Sequence, residues 1–466
     1  PALRPAGRGL PPVAAAVQRF WWDRHRAFAG HDRWDLALLV RPAETPSAAY
    51  PDPDTARLDA AALAAALRDL ADRHPPLRTV FAVADDGEPV PVPVEAEPTL
   101  EVVPVADADL PTRVTELAGE TVDLTRRPPL RARLLTGPAG RAEALLLTLH
   151  HLGADEWSVV PLVRDLTTAY AARRAGRAPD WSPPAVGYLD YAHWGRRLLG
   201  DPADPASRHA RQLDYWRRRL AGVPDRLVLP TDRPAPSGPV RRGGRVGFAL
   251  DEQVHRAVDD LARRTGTTMF MVWQATLAAL LHRWGAGPDI PIGTLVAGRT
   301  EEALGNLVGC FANPVVLRTD TGGDPTFTEL LARIRLADLA AFDHQDVPFD
   351  AVRAAVPAAQ PQVLLVHHEE ARLTGVDGSD DLPGLRVDPV PTGAVHAELT
   401  VSFYEPIGEG PVHAELEYAS DLFDPATARR LADEFVDLLR AALATPDAAL
   451  SALATPGVAV SASATP

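Results

Sequence analysis

Leu145–His150, LLLTLH, runs the length of a strand with almost no alternation between polar and apolar residues. A strand of that pattern is covered on both faces, so it calls for an interior sheet with packing on either side. That in turn calls for layers of helix and sheet. The strand ends in a pair, His150 and His151, turns through Gly153 and passes Asp155. A helix follows, with Val159, Leu162, Val163, Leu166 and Tyr170 at helical spacing. Pro161 is tolerated only in a first turn, which sets the helix start near Asp155–Ser158. A buried strand that carries a histidine and an acid into a turn is a common way to build a site.

The 466 residues exceed what one hydrophobic core usually supports, so two lobes are expected. Helices are expected over 12–25, 59–73 with Asp59 as N-cap, 112–122, 251–265, 267–284, 327–342 and 424–443, and in the aromatic segments YLDYAHWGRRLL and ARQLDYWRRRLAGV. Strands are expected over 77–83, 89–94, 130–135, 245–250 and 290–296, and near 362–367, 397–404 and 412–418. The two arginines in 130–135 predict one wet face there. The Pro- and Gly-rich stretch 175–184 marks the lobe boundary. The fold class is therefore mixed α/β. Both ends, 1–12 and 445–466, are rich in Ala, Pro, Ser and Thr and read as linkers.

The formal charge of −15 argues against nucleic acid as a partner, because phosphate binding needs a basic face. All 47 basic residues are arginine, which excludes Schiff-base chemistry and a Walker-type phosphate loop on this chain. One cysteine, Cys310, leaves no intrachain disulfide and no cysteine metal cage, and a reducing cytoplasm is the simplest setting. No apolar run reaches the length of a signal peptide core or a membrane span.

Six segments in order resemble the condensation domains of nonribosomal peptide synthetases. AVQRFW at 16–21 is similar to the family's AQxRLW opening, RHPPLRTVF at 73–81 to RHExLRTxF, and HHLGADEWS at 150–158 to HHxxxDGWS. YLDYAHW at 188–194, the IGTLVAGR…VGCFANPVVLR segment at 292–318, and HQDVPF at 344–349 complete the set. The resemblance implies two chloramphenicol acetyltransferase-like lobes in a V-shaped pseudo-dimer with a central tunnel. The N-lobe would span 1–177, the C-lobe 178–450, and a linker 451–466. Donor and acceptor peptidyl carrier domains, bearing phosphopantetheine arms, would dock at opposite mouths beside neighbouring synthetase domains. The chain would need no cofactor of its own and no metal. His151 would accept or hold the acceptor amine, while His150, on the opposite face of the strand, would pack behind it. Asp155 would be a brace paired with Arg299. Arg78 and Asn313 would shape the tunnel, with Gly153, Trp157 and Ser158 as motif positions around it.

Other candidates carry less. Cys310 lies among apolar neighbours and reads as a packed thiol. His367, His368, Glu369 and Glu370 follow a strand, whose alternation separates neighbouring ligands. Trp21, Trp22, Trp157, Trp194 and Trp216 read as core. The loop 233–244, with Arg233, Arg241 and Arg242 its only charges, reads as solvated.

Three departures from the family pattern matter. Glu156 replaces the motif glycine, where it could block the tunnel, pair with an arginine or raise the pKa of His151. QVLLVHHEE stands where QVMFxxQN is usual, and Glu398 stands in AELTVSF where FDLxxS is usual. These departures resemble the X-domain branch of the family, an inactive platform that recruits cytochrome haem oxygenases to a carrier-bound peptide. That branch also has an acid at the glycine but has altered the second histidine, which this chain keeps. Two readings therefore stand: an amide-forming condensation domain, and a recruitment platform.

Overall fold

The computed structural model describes residues 2–5, 9–27, 35–42, 58–85, 87–95, 98–106, 109–137, 140–234, 243–369, 385–393, 395, 397–406, 408 and 410–453. The first helix, α1 (Gln18–Ala27), precedes β1 (Asp35–Pro42). Next come α2 (Ala60–Arg73), β2 (Thr79–Val83), β3 (Pro89–Pro93), β4 (Leu100–Pro104), α3 (Leu110–Ala118), β5 (Leu130–Thr136), β6 (Ala142–His150) and α4 (Val159–Arg174). The second half holds α5 (Tyr188–Leu199), α6 (Arg208–Arg219), β7 (Gly243–Leu250), α7 (Glu252–Thr265), α8 (Met269–Leu281), β8 (Asp289–Val296), β9 (Asn313–Asp320), α9 (Phe327–Phe342) and α10 (Phe349–Ala355). It closes with β10 (Val363–Glu369), β11 (Leu385–Pro389), β12 (Leu399–Glu405), β13 (Val412–Ala419) and α11 (Pro425–Ala444).

Two sheets organise these elements. The first has the order β11-β1-β6-β5-β4, and the second β7-β13-β12-β10-β8-β9; β2 and β3 form a separate hairpin. The central strand of the first sheet is β6, flanked antiparallel by β1 and β5. Its lack of alternation has a direct cause. Leu145, Leu147 and Leu149 pack into a cluster with Leu63, Leu67 and Leu70 of α2 and Leu162 and Leu166 of α4. Ala144 and Leu146 face the other way, into a cluster with Val114 and Leu117 of α3. Each leucine buried in this way contributes about 1.5–3 kcal/mol, so the strand has no tolerance for a polar face.

The strand β11 links the sheets. It lies in the first sheet, antiparallel to β1, while β10 and β12 lie parallel to each other in the second. The two lobes are thus laced through each other. Neither β1, β4 nor β11 stands out in the sequence pattern.

The wet face expected on β5 is absent. Arg133 is buried and donates to Glu101 and Glu120, while Arg131 reaches Asp35 on β1 at 3.2 Å. Carboxylates from neighbouring elements pair with both guanidiniums, which lets the strand bury a residue type that usually marks solvent. The C-terminal segment also differs from expectation. Over 445–453 it packs: Leu450 and Leu453 join the core of the second sheet, and Pro446 and Asp447 accept hydrogen bonds from Thr328. In that core α8 is buried from Met271 through Leu281, which explains its apolar residues on every side. Among the described residues no helix is long and apolar enough to cross a membrane.

On α4, Asp165 accepts from Arg73 Nε at 2.7 Å, His74 Nε2 at 2.8 Å and Arg164 Nε at 3.0 Å. Burial alone would raise its pKa; the hydrogen bonds from His74, Arg164 and Arg73 outweigh it and bring the group from 3.8 to about 2. A depressed carboxylate stabilises the fold above its unfolded pKa, and that contribution fades as pH falls through the folded one. Asp165→Asn should therefore cost about 2 kcal/mol at neutral pH. In denaturant unfolding series, the gap to the parent should narrow as pH falls from 3.8 toward about 2. A pH-independent gap would show that packing, not charge, is what Asp165 supplies.

Candidate functional site

The end of β6 sets the site. His150 is buried, and its Nδ1 accepts the Leu152 N–H at 3.1 Å, so the neutral ring carries its proton on Nε2. The His25 ring stands edge-on to it, with centroids 4.9 Å apart. Burial pushes the His150 pKa well down, and His25, His151 and Arg131 add to the effect. His150 is thus a neutral packing group behind the strand.

His151 begins the turn and lines a cavity of about 470 Å3 between the two sheets. Its ring lies against Trp21, with centroids 4.6 Å apart. Nδ1 is 3.1 Å from the Ala154 carbonyl, which can only accept, so the proton sits on Nδ1 and Nε2 is the basic nitrogen. Burial lowers the pKa of His151; the Ala154 carbonyl, Asp155 and Glu156 oppose that shift without reversing it. Glu156 therefore pulls in the expected direction but is the smallest of these influences.

The turn is shaped by close approach. The Gly153 N–H donates to His150 O at 2.8 Å, and a Cβ on Gly153 would meet Pro129 side-chain atoms at 2.3 and 2.8 Å. Pro129 in turn accepts the His150 N–H at 3.1 Å. A side chain at 153 would push the turn off β5's approach.

Asp155 is 1% exposed and fully engaged. Oδ1 accepts from the Ser158 N–H at 3.0 Å and its hydroxyl at 2.9 Å, capping the short 3-10 turn Glu156–Ser158 that leads into α4. Oδ2 accepts from Arg299 Nη1 at 2.9 Å and from the backbone N–H groups of Phe311 and Ala312 at 2.9 and 3.2 Å. Arg299 also donates to Leu307 O, and its guanidinium lies 3.9 Å from the centre of the Phe311 ring. The pairing of Asp155 with Arg299 is thus present, and the Phe311 and Ala312 amides extend it.

Among the described residues Glu156 pairs with no arginine. Its Oε2 lies 2.7 Å from Nδ1 of His368 on β10, and His368 stacks on Tyr404 of β12 at 4.8 Å. Glu156, Trp157, His368 and Tyr404 all line the cavity. Glu156 and His368 therefore form a clasp between the first-sheet turn and the second sheet.

Of the remaining sequence candidates, Asn313 donates to Gln345 O and Val347 O at 2.9 Å and accepts the Phe349 N–H at 3.1 Å. It thereby fixes Phe349, which lines the cavity 5.6 Å from Phe20. Arg78 donates to Val94 O at 3.2 Å and is not among the cavity residues. Cys310 is buried, and burial pushes its thiol well up. His367 pairs with Glu405 at 2.9 Å, on the face of β10 opposite His368. Glu398 is buried and paired with Arg226 at 2.6 Å. Trp22, Trp194 and Trp216 are core, Trp21 is buried and also lines the cavity, and Trp157 faces the cavity. Arg233 pairs with Asp424; Arg241, Arg242 and Glu370 lie outside the described residues.

Sequence reasoning did not find His368 as the partner of Glu156, nor the polar face made by Thr400, Ser402 and Tyr404. The second had a signal: TVSFYE carries polar residues at every other position.

A family profile described as Condensation domain matches residues 54–459. The probable non-canonical nonribosomal peptide synthetase CymA of Salinispora arenicola is 42% identical over 97% of this chain. The dimodular nonribosomal peptide synthase of Bacillus subtilis is 41% identical over 90%. The chain spans 6% of the first protein's length and 18% of the second's. The X-domain from teicoplanin biosynthesis in complex with OxyB superposes with a TM-score of 0.84 at 35% identity, covering 97% of this chain and 98% of that one. The first condensation domain of the calcium-dependent antibiotic synthetase superposes at 0.75 over 96% of this chain and 100% of that one, but at 18% identity, a likeness of fold alone. The fold is the chloramphenicol acetyltransferase-like pair of lobes around a central tunnel.

Removing either partner of a buried ion pair strands the other charge. Asp155→Ala and Arg299→Ala should each destabilise by about 3–5 kcal/mol, and the double variant by clearly less than their sum. Denaturant midpoints read this directly; additive losses would mean the two side chains act independently.

Proposed function

The chain belongs to the condensation domain family of nonribosomal peptide synthetases, and on that premise we propose that it joins a carrier-bound donor acyl or peptidyl thioester to the amine of a carrier-bound acceptor. The observation that carries this is His151: a cavity-lining imidazole whose proton is fixed on Nδ1 and whose Nε2 is unprotonated at neutral pH because burial depresses its pKa. Lobes of 1–177 and 178–450 enclose the tunnel, and the phosphopantetheine arms of donor and acceptor carriers enter from its two mouths. The acceptor nitrogen attacks the thioester carbonyl, and His151 Nε2 holds the amine and takes its proton. The C–N bond forms, the C–S bond breaks, and the proton passes to the departing carrier thiolate. Thioester aminolysis is favourable in itself, so placing the two arms supplies much of the acceleration. Asp155, Arg299 and Ser158 hold the turn that aims His151.

A second reading is favoured by a specific pair of observations. The Glu156–His368 clasp crosses the cavity beside His151, and the likeness to the X-domain that was solved with OxyB extends over nearly the whole chain. On that reading the domain is a platform that holds a cytochrome haem oxygenase near a carrier-bound peptide.

Condensation with loaded donor and acceptor carriers separates the two. Product should form, and His151→Ala should slow it at least about 100-fold. In the pH profile of kcat/KM the attacking amine sets one acid limb and His151 a second, below the ordinary imidazole value of 6.5, because protonation of a depressed base shuts the reaction. Persistence of that second limb in the residual activity of His151→Ala would remove His151 as the base. No product from the parent, product from Glu156→Gly, and binding of a cytochrome oxygenase would together establish the platform.

A further inference from the structure

The second sheet turns one face to its own core and the other to the cavity. Leu399, Val401 and Phe403 of β12 and Val412, Ala414 and Leu416 of β13 are core. The residues between them line the cavity: Thr400, Ser402 and Tyr404, with Glu415 and Glu417. Cross-strand register sets Glu417 between Thr400 and Arg245, and Ser402 beside Glu415. Arg245 is shared: Nη1 lies 3.2 Å from Glu415 Oε2, and Nη2 pairs with Glu417. On the same face, beside Tyr404, His368 holds Glu156.

The charges on this wall do not balance. Among the described residues three carboxylates face one guanidinium and one imidazole, so this part of the wall is negative whether or not His368 is protonated. The other acids of the cavity are matched elsewhere, Asp35 by Arg131 and Asp155 by Arg299; Arg24 lies on the far side, near Phe20. Burial holds Glu417 above its usual pKa against the opposing pull of Arg245, with Glu415 adding to the rise. A second, independent sign is Thr400. It is 4% exposed, lies on the cavity face, and its Oγ1 has no hydrogen-bond partner. A buried hydroxyl without a partner costs free energy that a guest can return. Beside the acids, Leu364 and Val366 present an apolar strip on the same face.

We propose that this wall is a subsite for a protonated nitrogen on a substrate residue: a basic side chain whose methylene stem lies along Leu364 and Val366 and whose charge meets Glu417 and Glu415, with Thr400 Oγ1 accepting a hydrogen bond from the same group. Calling the guest a substrate residue rests on the amide-forming reading; the recognition itself does not.

Calorimetric binding to the whole chain tests it, using pantetheine amides that cannot react. N-acetylornithine and N-acetylnorvaline differ in the side-chain cation and lack an α-ammonium; norvaline with a free amine carries only the α-ammonium. The N-acetylornithine amide should bind the parent chain about tenfold more tightly than the N-acetylnorvaline amide. Glu417→Gln and Glu415→Gln, checked for an unchanged melting curve, should bring the two to within about twofold. Equal affinities on the parent chain, a comparison that needs no variant, overturn the proposal. If only the free-amine norvaline amide gains affinity through Glu417, the wall reads the α-ammonium and the side-chain assignment falls. Charge discrimination in a chain that forms no amide would retain the subsite and remove the catalytic reading. Condensation without such discrimination would do the reverse.

Discussion

The carboxylate of Asp155 ties the site together. It accepts five hydrogen bonds, two from Ser158 on its own side and three from Arg299, Phe311 and Ala312 on the other. A buried ion pair of this kind adds little net stability over an apolar substitute, because desolvation offsets the attraction. What it supplies is position. An apolar contact between the turn and residues 307–312 could slide by an ångström; five directional bonds to one carboxylate cannot. The turn that carries His151 is therefore registered against the second half of the chain, and the cavity between the sheets has a fixed width at that point.

Asp155 and its neighbour Glu156 divide two tasks. Asp155 bonds into dry structure, with Arg299 itself 7% exposed. Glu156 reaches across the cavity to His368, in a contact lined by the same space that His151 faces. The first is a permanent weld. The second joins two groups that each have other options in a wet cavity, so a guest can compete with it. Replacing the family's glycine by glutamate thus leaves the brace untouched and puts a carboxylate into the cavity that His151 also lines.

How much of this was legible follows from which residues answer to local rules. β6 was legible because burial on both faces leaves an unbroken apolar run, and α4 because Pro161 and the capping acid fix its start. β1 and β11 were not. Their residues satisfy one sheet only after the chain has crossed from the second to the first, and nothing local encodes that crossing. Arg131 and Arg133 misled for the same reason: their acids come from β1, β4 and the end of α3. The Asp155–Arg299 pair was available through the family motif, since 144 residues separate its members and no periodicity joins them. His368 as the partner of Glu156, 212 residues away, had no sequence signal beyond its departure from the family pattern.

The absence of lysine sharpens what the cavity can recognise. Every cationic side chain built into this molecule is a guanidinium, apart from protonated histidine. A guanidinium presents a planar fork that suits two acceptors at once, as Arg245 does between Glu415 and Glu417 and Arg299 does between Asp155 and Leu307. Such a fork settles into one geometry and stays there. A compact ammonium, with three donors on a flexible stem, is the complementary shape for a cavity whose carboxylates already share one fork and still carry excess charge. No side chain within these 466 residues can supply it. A primary ammonium that meets Glu417 comes from outside this chain, so the acids on the second sheet face a group the chain itself never imitates.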